Sequence, residues 1–432
     1  MLGGFMSALR TPDLRRKILY TLGILSLYRL GSALPTPGVD YGNVQECIKS
    51  NDSGGLLDLI NLFSGGALLQ LSIFALGIMP YITASIMVQL LRLLVPRFQD
   101  LHQQGSAGQA KLTQYTRYIT VAFAAMQSAS YITLARQGIT YRGCAVPVIP
   151  DDSWGRIAIM ILTMTAGTVL IMWFGERITD HGIGNGMSLI IFTSIAASLP
   201  SAIVQVSRSG GGASNGVWVL LTVAIIIAIV VFVEQSQRRI PVQYAKRMVG
   251  RKVMGGSSTY IPIRINMAGV IPVIFASSLI SIPNLIVQFA GETPADWVIW
   301  VNVHIATTGE PLNALLYVLF IVFFSYFYTA ITFNPDEVAE NMQKYGGFVP
   351  GIRPGKPTAQ YLDYVLSRIT AAGSTYLALV ALLPLWVFVQ LNLSASMPFG
   401  GTSIIIIAGV GLDTVRRIQS QLEQRHYEGF LK

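Results

Sequence analysis

Charge is scarce in this sequence. Only 12% of its 432 residues are Asp, Glu, Lys or Arg, against roughly a quarter in ordinary soluble domains. Hydrophobic residues make up 52%, and the mean hydropathy is +0.54. A soluble fold of this length cannot hide that much apolar surface and still present a charged exterior, so lipid must solvate much of the chain. Cysteine is nearly absent. Cys47 and Cys144 are the two, and no CxxC or Cys/His spacing suggests a metal. The four histidines, His102, His181, His304 and His426, are scattered over loops and the tail. No long apolar run contains one, which leaves a Ser–His intramembrane hydrolase without its base. The stretch 351–357 is a poor phosphate-binding loop: it is one residue short, Pro357 stands where a hydroxyl is needed, and no strand precedes it. An intramembrane aspartyl protease is excluded as well, because Asp413 is displaced from the expected position and has no second intramembrane aspartate. The chain is read as a non-enzyme that needs no cofactor.

What is present is a series of apolar runs, at 18–34, 73–94, 118–134, 157–174, 187–199, 217–233, 267–289, 312–331, 369–389 and 400–410. A membrane-spanning helix needs about 20 apolar residues, and polar stretches with Gly, Pro and charge separate these runs. The expected architecture is an all-α membrane protein of about ten spans. No small-residue cleavage site stands out before Pro35, so the first run reads as a permanent helix. Ten spans put both termini on one side. With the N-terminus in the cytoplasm, the inner segments carry 24 of the 30 Lys and Arg residues, the outer segments carry five, and Arg29 lies inside the first span. That asymmetry fits positive-inside orientation, so the net charge of +9 is mainly a topology signal.

Two cytoplasmic loops are long, 234–266 and 332–363. The first holds seven Lys and Arg residues, including Arg238, Arg239, Lys246 and Arg247, and the second holds Arg353. Topogenic charge beside anionic lipid is one reading. A cytoplasmic docking partner is the other, and the length of these loops beside short outer ones favours it. Residues 56–71 are apolar but broken by Ser64-Gly65-Gly66, too short to cross. They either dip in from the outer side as a re-entrant segment or lie at the interface. Irregular backbone at membrane depth is tolerated only under cover of protein or a water-filled cavity. Arg29 either pairs with a neighbour or reaches the outer interface. Cys47 and Cys144 both fall in outer loops, where a bridge between them is chemically permitted. The sequence does not give their separation, and unpaired thiols are slightly favoured.

The spans are nearly free of carboxylates: Glu176, Glu234 and Asp413 sit at cytoplasmic ends. A proton- or sodium-coupled carrier places ionisable groups mid-membrane, so that reading lacks its main requirement. A scaffold for membrane-protein assembly would explain the docking loops but leave the broken segment without purpose. Ile-rich, proline-kinked helices with little charge suit a hydrophobic constriction that closes by dewetting, which tolerates a varied polymer better than one small solute.

The short motifs carry a specific resemblance. Asn61-Leu62-Phe63-Ser64-Gly65-Gly66-Ala67-Leu68, followed by Ile73-Phe74-Ala75-Leu76-Gly77-Ile78-Met79-Pro80-Tyr81-Ile82, resembles the plug and second helix of the SecY family of protein-translocation channels. Gly182-Ile183-Gly184-Asn185-Gly186 resembles the turn into that family's fifth helix. Gln237-Arg238-Arg239-Ile240, Tyr244-Ala245-Lys246-Arg247 and Asn266-Met267-Ala268-Gly269-Val270-Ile271-Pro272 resemble its long loop and seventh helix. Phe348-Val349-Pro350-Gly351-Ile352-Arg353-Pro354-Gly355 resembles its fifth cytoplasmic loop.

The resemblance implies two inverted-topology halves, 1–206 and 207–432, around an hourglass pore. It implies a pore ring of Ile78, Ile82, Met187, Ile191, Ile274 and Ile406, in which flexible Met187 fits loosely. It implies a plug at about 57–71, containing Asn61, Phe63, Ser64, Gly65 and Gly66, and a lateral gate with Asn266 at its cytoplasmic end. Arg238, Arg239, Lys246, Arg247 and Arg353 would contact the SecA motor or the ribosome, where basic loops have ready electrostatic support against RNA. SecE and SecG would be the small partners, precursors bearing signal sequences the cargo, and the bacterial inner membrane the location. ATP hydrolysis would belong to SecA. A signal sequence has an apolar core of only about 7–15 residues, so it must be sensed by partition into lipid at a seam that opens sideways.

Overall fold

The computed structural model describes residues 11–50, 64–136, 146–150, 153–208, 212–244, 247–249, 252–254, 258–289, 295–306, 310–390 and 401–430. Helices dominate. In order they are α1 (Pro12–Ala33), α2 (Tyr41–Ser50), α3 (Met79–Leu94), α4 (Pro96–Gln103), α5 (Ser106–Arg136), α6 (Trp154–His181), α7 (Gly186–Arg208) and α8 (Gly212–Gln235). Four strands follow, β1 (Gln237–Tyr244), β2 (Arg247–Val249), β3 (Lys252–Met254) and β4 (Ser258–Arg264). Then come α9 (Ile271–Phe289), α10 (Asp296–Val301) running into a π-turn at Asn302–Ala306, α11 (Pro311–Thr332), α12 (Pro335–Lys344), β5 (Gly347–Phe348), α13 (Lys356–Gln390) and α14 (Gly401–Phe430).

Four stretches are long and apolar enough to cross a membrane among the described residues: Ser106–Arg136, Trp154–His181, Pro311–Lys344 and Lys356–Pro384. Shorter apolar helices lie at Gly186–Ser198, Leu221–Gln235 and Ile271–Ile280. Proline sets several starts. Pro12, Pro80, Pro311 and Pro335 all occupy the first helical turn, where the missing N–H costs nothing. At α12, Asn334 also caps the helix, its side chain accepting from the Asp336 N–H, with Asp336 and Glu337 in the first turn.

The chain forms two compact units. One comprises Met1–Gly216 and takes back Val410–Lys432; the other comprises Val217–Gln390 and Gly400–Gly409. α14 is therefore divided between them. In the first unit, α2, the irregular segment 64–78, α5 and α6 share one core, containing Val44, Leu68, Leu71, Ala75, Leu134 and Met160. The second unit has a helical core around Ile226, Val273, Ile321, Leu377 and Ile405.

A second core in that unit is a small mixed module that an all-helical expectation does not include. β1 pairs antiparallel with β4, from Gln237↔Arg264 to Gln243↔Ser258, and on its other edge with β5 through Gln243↔Phe348 and Tyr244↔Gly347. The sheet order β4-β1-β5 thus stitches the two long loops, 234–266 and 332–363, together. Ile240, Val242 and Ile263 face inward onto Met342 of α12 and onto Leu362, Val365, Leu366 and Ile369 of α13. Each fully buried aliphatic side chain contributes about 1.5–3 kcal/mol.

Helix ends also differ from the apolar runs. The run 73–94 is helical only from Met79; residues before it form turns, because Pro80 favours a helix start at that point. α13 begins thirteen residues before its apolar run at 369, and α14 continues twenty residues past its run at 410.

Candidate functional site

Among the described residues of the first unit, Ser64 to Ile78 holds four positive-φ positions. Gly65 and Gly66 have φ of +68° and +89°, Gly77 has +55°, and Leu71 holds the left-handed region at +43° without being glycine. A Cβ on Gly65 would sit 3.1 Å from Ser194 Cα and 3.2 Å from the Ser194 carbonyl oxygen, so the position needs glycine for both conformation and approach. The segment folds on itself through Leu68 N–H to Ser64 Oγ at 3.1 Å. It then pairs with the exit of α1: Thr36 N–H donates to the Leu71 carbonyl and Ile73 N–H to the Leu34 carbonyl, at 3.0 and 2.9 Å.

α1 holds this segment from the side. The Arg29 guanidinium donates to the Gly65 carbonyl at 2.7 Å. The Tyr28 hydroxyl lies 2.6 Å from Ser194 Oγ of α7 and 3.4 Å from the Ser64 carbonyl oxygen. Ser194 itself donates to the Ile190 carbonyl at 2.9 Å, so the consistent proton order runs Tyr28 to Ser194 to Ile190. The Phe74 ring stacks on Tyr28 at 5.8 Å and fills the space a Cβ on Gly31 would need, 2.1 Å away. Of the two readings of Arg29, the neighbour is the Gly65 carbonyl. Asn61 and Phe63 lie outside the described residues.

Ile78 and Ile82, four residues apart, share a face at the start of α3, and Ile82 N–H bonds the Ile78 carbonyl. Met187 and Ile191 share a face of α7 by the same spacing. Ile78, Ile82, Ile191, Ile274 and Ile406 are all buried. Met187 is half-buried, and its Sδ takes the place a Cβ on Gly175 of α6 would occupy. The turn before α7 forms as its motif suggests: Gly184 has φ +83°, and Asn185 Oδ1 accepts from the Met187 N–H at 3.1 Å as the helix cap.

In the second unit Asn266 is buried just before α9. Its amide donates to Glu234 Oε1, at the end of α8, at 2.6 Å and to the Gly269 carbonyl at 3.0 Å. Glu234 is itself only 8% exposed. α13 closes on this site so tightly that a Cβ on Gly373 would lie 2.5 Å from the Ile265 carbonyl oxygen. The sequence shows Glu234 as a charge at a span end, but not that it is the partner of Asn266, 32 residues away.

Arg238 and Arg239 lie exposed on β1, and the Arg239 guanidinium sits 4.8 Å above the Tyr260 ring of β4. Arg247 opens β2. Lys246 lies outside the described residues. Arg353 is exposed in the turn after β5, where its carbonyl accepts from Thr358 Oγ1 at 2.8 Å. Arg239 and Arg353 belong to loops that the sheet joins. Cys47 is fully buried and disulfide-bonded, which overturns the expectation of a free thiol there; its Sγ lies 3.8 Å from the Val146 carbonyl oxygen. Cys144, the chain's other cysteine, lies outside the described residues.

One ion pair leaves no mark in the sequence. Arg117 of α5 grips Glu176 of α6 with two bonds, 2.8 and 2.9 Å. The pair is partly exposed, so its net worth is modest. Arg117→Met is expected to lower the thermal unfolding midpoint by a few degrees. A double-mutant cycle with Glu176→Gln is expected to give a coupling of about 1 kcal/mol; zero coupling would show the contact to be energetically silent.

These features define a polytopic helical membrane protein with an irregular, glycine-containing segment packed among its helices. The SecY family model matches residues 72–415, and the chain belongs to the SecY family. It is 56% identical to the protein translocase subunit SecY of Streptomyces coelicolor, over the whole of both chains. Among solved structures it is similar to a protein-conducting channel, with TM-score 0.62 at 17% identity over 93% of this chain and 91% of that one. It is also similar to Sec61 in a canine ribosome–channel complex from the endoplasmic reticulum, with TM-score 0.58 at 15% identity over the same shares.

Proposed function

We propose that this chain is the pore-forming subunit of a protein translocase, moving unfolded secretory polypeptides across the membrane and releasing hydrophobic segments sideways into lipid. The observation that carries this reading is the segment 64–78, non-helical and glycine-hinged, held among apolar helices by α1 and α7 in a chain of the SecY family. An aqueous pore across a membrane needs an occluding element when idle, and irregular backbone of this kind is tolerable only where protein or a cavity covers it. The plug is then about 57–71, in ten spans arranged as two halves, 1–206 and 207–432, with both termini cytoplasmic in a bacterial inner membrane. The isoleucines Ile78, Ile82, Ile191, Ile274 and Ile406, with Met187 beside them, form the constriction. Aliphatic side chains there exclude ions by dewetting yet accept any residue of a passing chain.

The lateral gate has Asn266 at its cytoplasmic end. The joined loops carry Arg238, Arg239, Lys246, Arg247 and Arg353 to a cytoplasmic motor or to the ribosome; support comes from the exposure of Arg238, Arg239 and Arg353 and from the canine relative solved with a ribosome. SecA supplies ATP hydrolysis, and SecE and SecG complete the complex. The test is site-specific crosslinking. A photo-reactive residue replaces Ile82 or Ile191, and a stalled, radiolabelled precursor is supplied. Crosslinks that vanish when the signal sequence is disabled are expected. Silence at both sites while the precursor is engaged and exported would move the pore elsewhere.

A further inference from the structure

Between α9 and α11 of the second unit lies a short amphipathic piece, α10 and the π-turn that follows it. Val298 is buried, whereas Trp297, Ile299, Trp300 and Val303 are 60%, 48%, 51% and 48% exposed. The Trp300 ring stacks on His304 at 5.0 Å, and the Trp300 carbonyl accepts from His304 Nδ1 at 3.1 Å. So dense an apolar display marks a contact surface. Its level along the bundle is fixed. The piece packs on both α9 and α11, and Asn313, in the first turn of α11, donates its amide to the Ile305 carbonyl. α11 has 22 residues, which at about 1.5 Å each match the roughly 30 Å hydrocarbon core of a bilayer. Its exposed stripe of Leu315, Leu319 and Phe323 begins just past Asn313, and its other end leads into α12 and the strand module. The piece therefore sits where the apolar stripe ends. From Ala295 to Ala306 the sequence holds no Lys or Arg, and its one carboxylate is Asp296.

We propose that α10 and its π-turn form an interfacial anchor that lies in the headgroup layer at that end of α11 and takes zwitterionic phospholipid as its ligand. Trp297 and Trp300 sit at the acyl boundary, where an indole buries its apolar body and its N–H donates to an ester or phosphate oxygen. Interfacial helices that select anionic lipid carry Lys and Arg on their polar face. This one offers a lone carboxylate, which anionic headgroups repel, so apolar area and aromatic rings carry the binding. Because the piece is tied to both α9 and α11, it sets the depth of the two helices and resists their sliding along the membrane normal.

The test is a spin-label scan of the full chain, assembled with its partner subunits in phosphatidylcholine vesicles. Ile299→Cys and Val303→Cys each carry a nitroxide; Leu319→Cys on the α11 stripe and Ser258→Cys on exposed β4 are the lipid and water references. Collision with oxygen, which concentrates in acyl chains, is compared with collision with a water-soluble nickel chelate. The oxygen-to-nickel ratio at 299 and 303 is expected to lie severalfold above that at 258 and below that at 319, and to be unchanged when phosphatidylglycerol is added. Trp297→Ser combined with Trp300→Ser is expected to drop the ratio at 303 toward the water reference. A ratio equal to the water reference in the unsubstituted chain would overturn the anchor. Low collision with both reagents would mean that protein covers the patch, and would overturn lipid as the occupant. A ratio equal to that at 319 would overturn the interfacial seat, and one that rises only with phosphatidylglycerol would overturn the zwitterionic ligand. An unchanged ratio in the double serine variant would remove the tryptophans from the role.

Discussion

Gly186→Val is expected to eliminate the assembled protein. At Gly186 a Cβ would lie 2.0 Å from the Gly175 carbonyl oxygen and 2.8 Å from Ile178 Cβ, so the added group meets backbone and not a yielding side-chain tip. α6 and α7 cross at Gly175 and Gly186 because neither has a side chain, and the Met187 thioether fills what space remains. Overpacking a close-packed interior costs about 1–3 kcal/mol even where side chains can shift, and more where backbone must move. The cost falls on α7, which carries Ile191 and brings Ser194 against Gly65 of the irregular segment. Gly186→Ala already adds the offending atom and is expected to be severe; Val adds β-branching in the first turn after the Asn185 cap. The measurement is steady-state abundance in the membrane, followed by the unfolding midpoint in detergent of whatever accumulates. Gly23, where a Cβ would meet nothing within 4 Å, is the control: Gly23→Ala is expected to be neutral or slightly stabilising through helix propensity. Equal abundance of the two alanine variants would refute the close-crossing argument.

The apolar runs, the inner-side bias of Lys and Arg, and the glycine breaks at 65–66 and 182–186 are legible in the sequence because each is a local pattern. The rest depends on pairings far apart in the chain. β5 is two residues long and joins β1 about a hundred residues earlier, so nothing in Gly347-Phe348 alone marks a strand. Pro241 inside β1 argues against a strand, yet its alternation of buried Ile240 and Val242 with exposed neighbours is a strand's signature. The early start of α13 is readable in principle: Leu362, Val365, Leu366 and Ile369 repeat at helical spacing. Polar residues among them mark the stretch as loop, which hides a helix that serves both the loop and the span. Arg29, Glu176 and Glu234 stand out as charges at or near span ends. Their partners, a Gly65 carbonyl, Arg117 and Asn266, lie on other elements and leave no periodic trace.

The strand pairing also makes the two long loops one mechanical unit with the start of α9. Within the second unit, exposed Arg239 and Arg353 lie in segments joined by β1 and β5, and the inner face of that sheet packs on α13 through Ile240 and Val242. β4 leads in two residues to Asn266, and Gly373 of the same α13 closes on Ile265. A load on Arg239 or Arg353 therefore acts on a strand–helix module continuous with the start of α9, and not on two separate loops.

Asn266→Asp is expected to be more damaging than Asn266→Ala, although it changes the fewest atoms. Asn266 gives its amide to Glu234 Oε1 at 2.6 Å in a site where both residues are buried. Alanine removes a donor and leaves a buried carboxylate short of a hydrogen bond, a loss of about 1.5–3 kcal/mol. The aspartate variant places a second carboxylate against the first, and two such groups cannot both ionise at that distance. One of them keeps a proton, its folded-state pKa raised above the unfolded carboxylate range of about 4. A raised folded pKa means that the folded state binds the extra proton, so this variant should gain relative stability at low pH and lose it as pH rises through the raised value. Glu234→Gln in the same chain removes the repulsion and is expected to restore most of the loss and flatten the pH dependence. The readouts are the unfolding midpoint in detergent between about pH 4 and 8 and the yield of a hydrophobic segment released into lipid. A pH-independent deficit in Asn266→Asp, or no rescue by Glu234→Gln, would mean that the 2.6 Å contact is not what holds the start of α9. Recovery of stability without recovery of segment release would separate the two roles and leave the contact structural, with the gate controlled from another point.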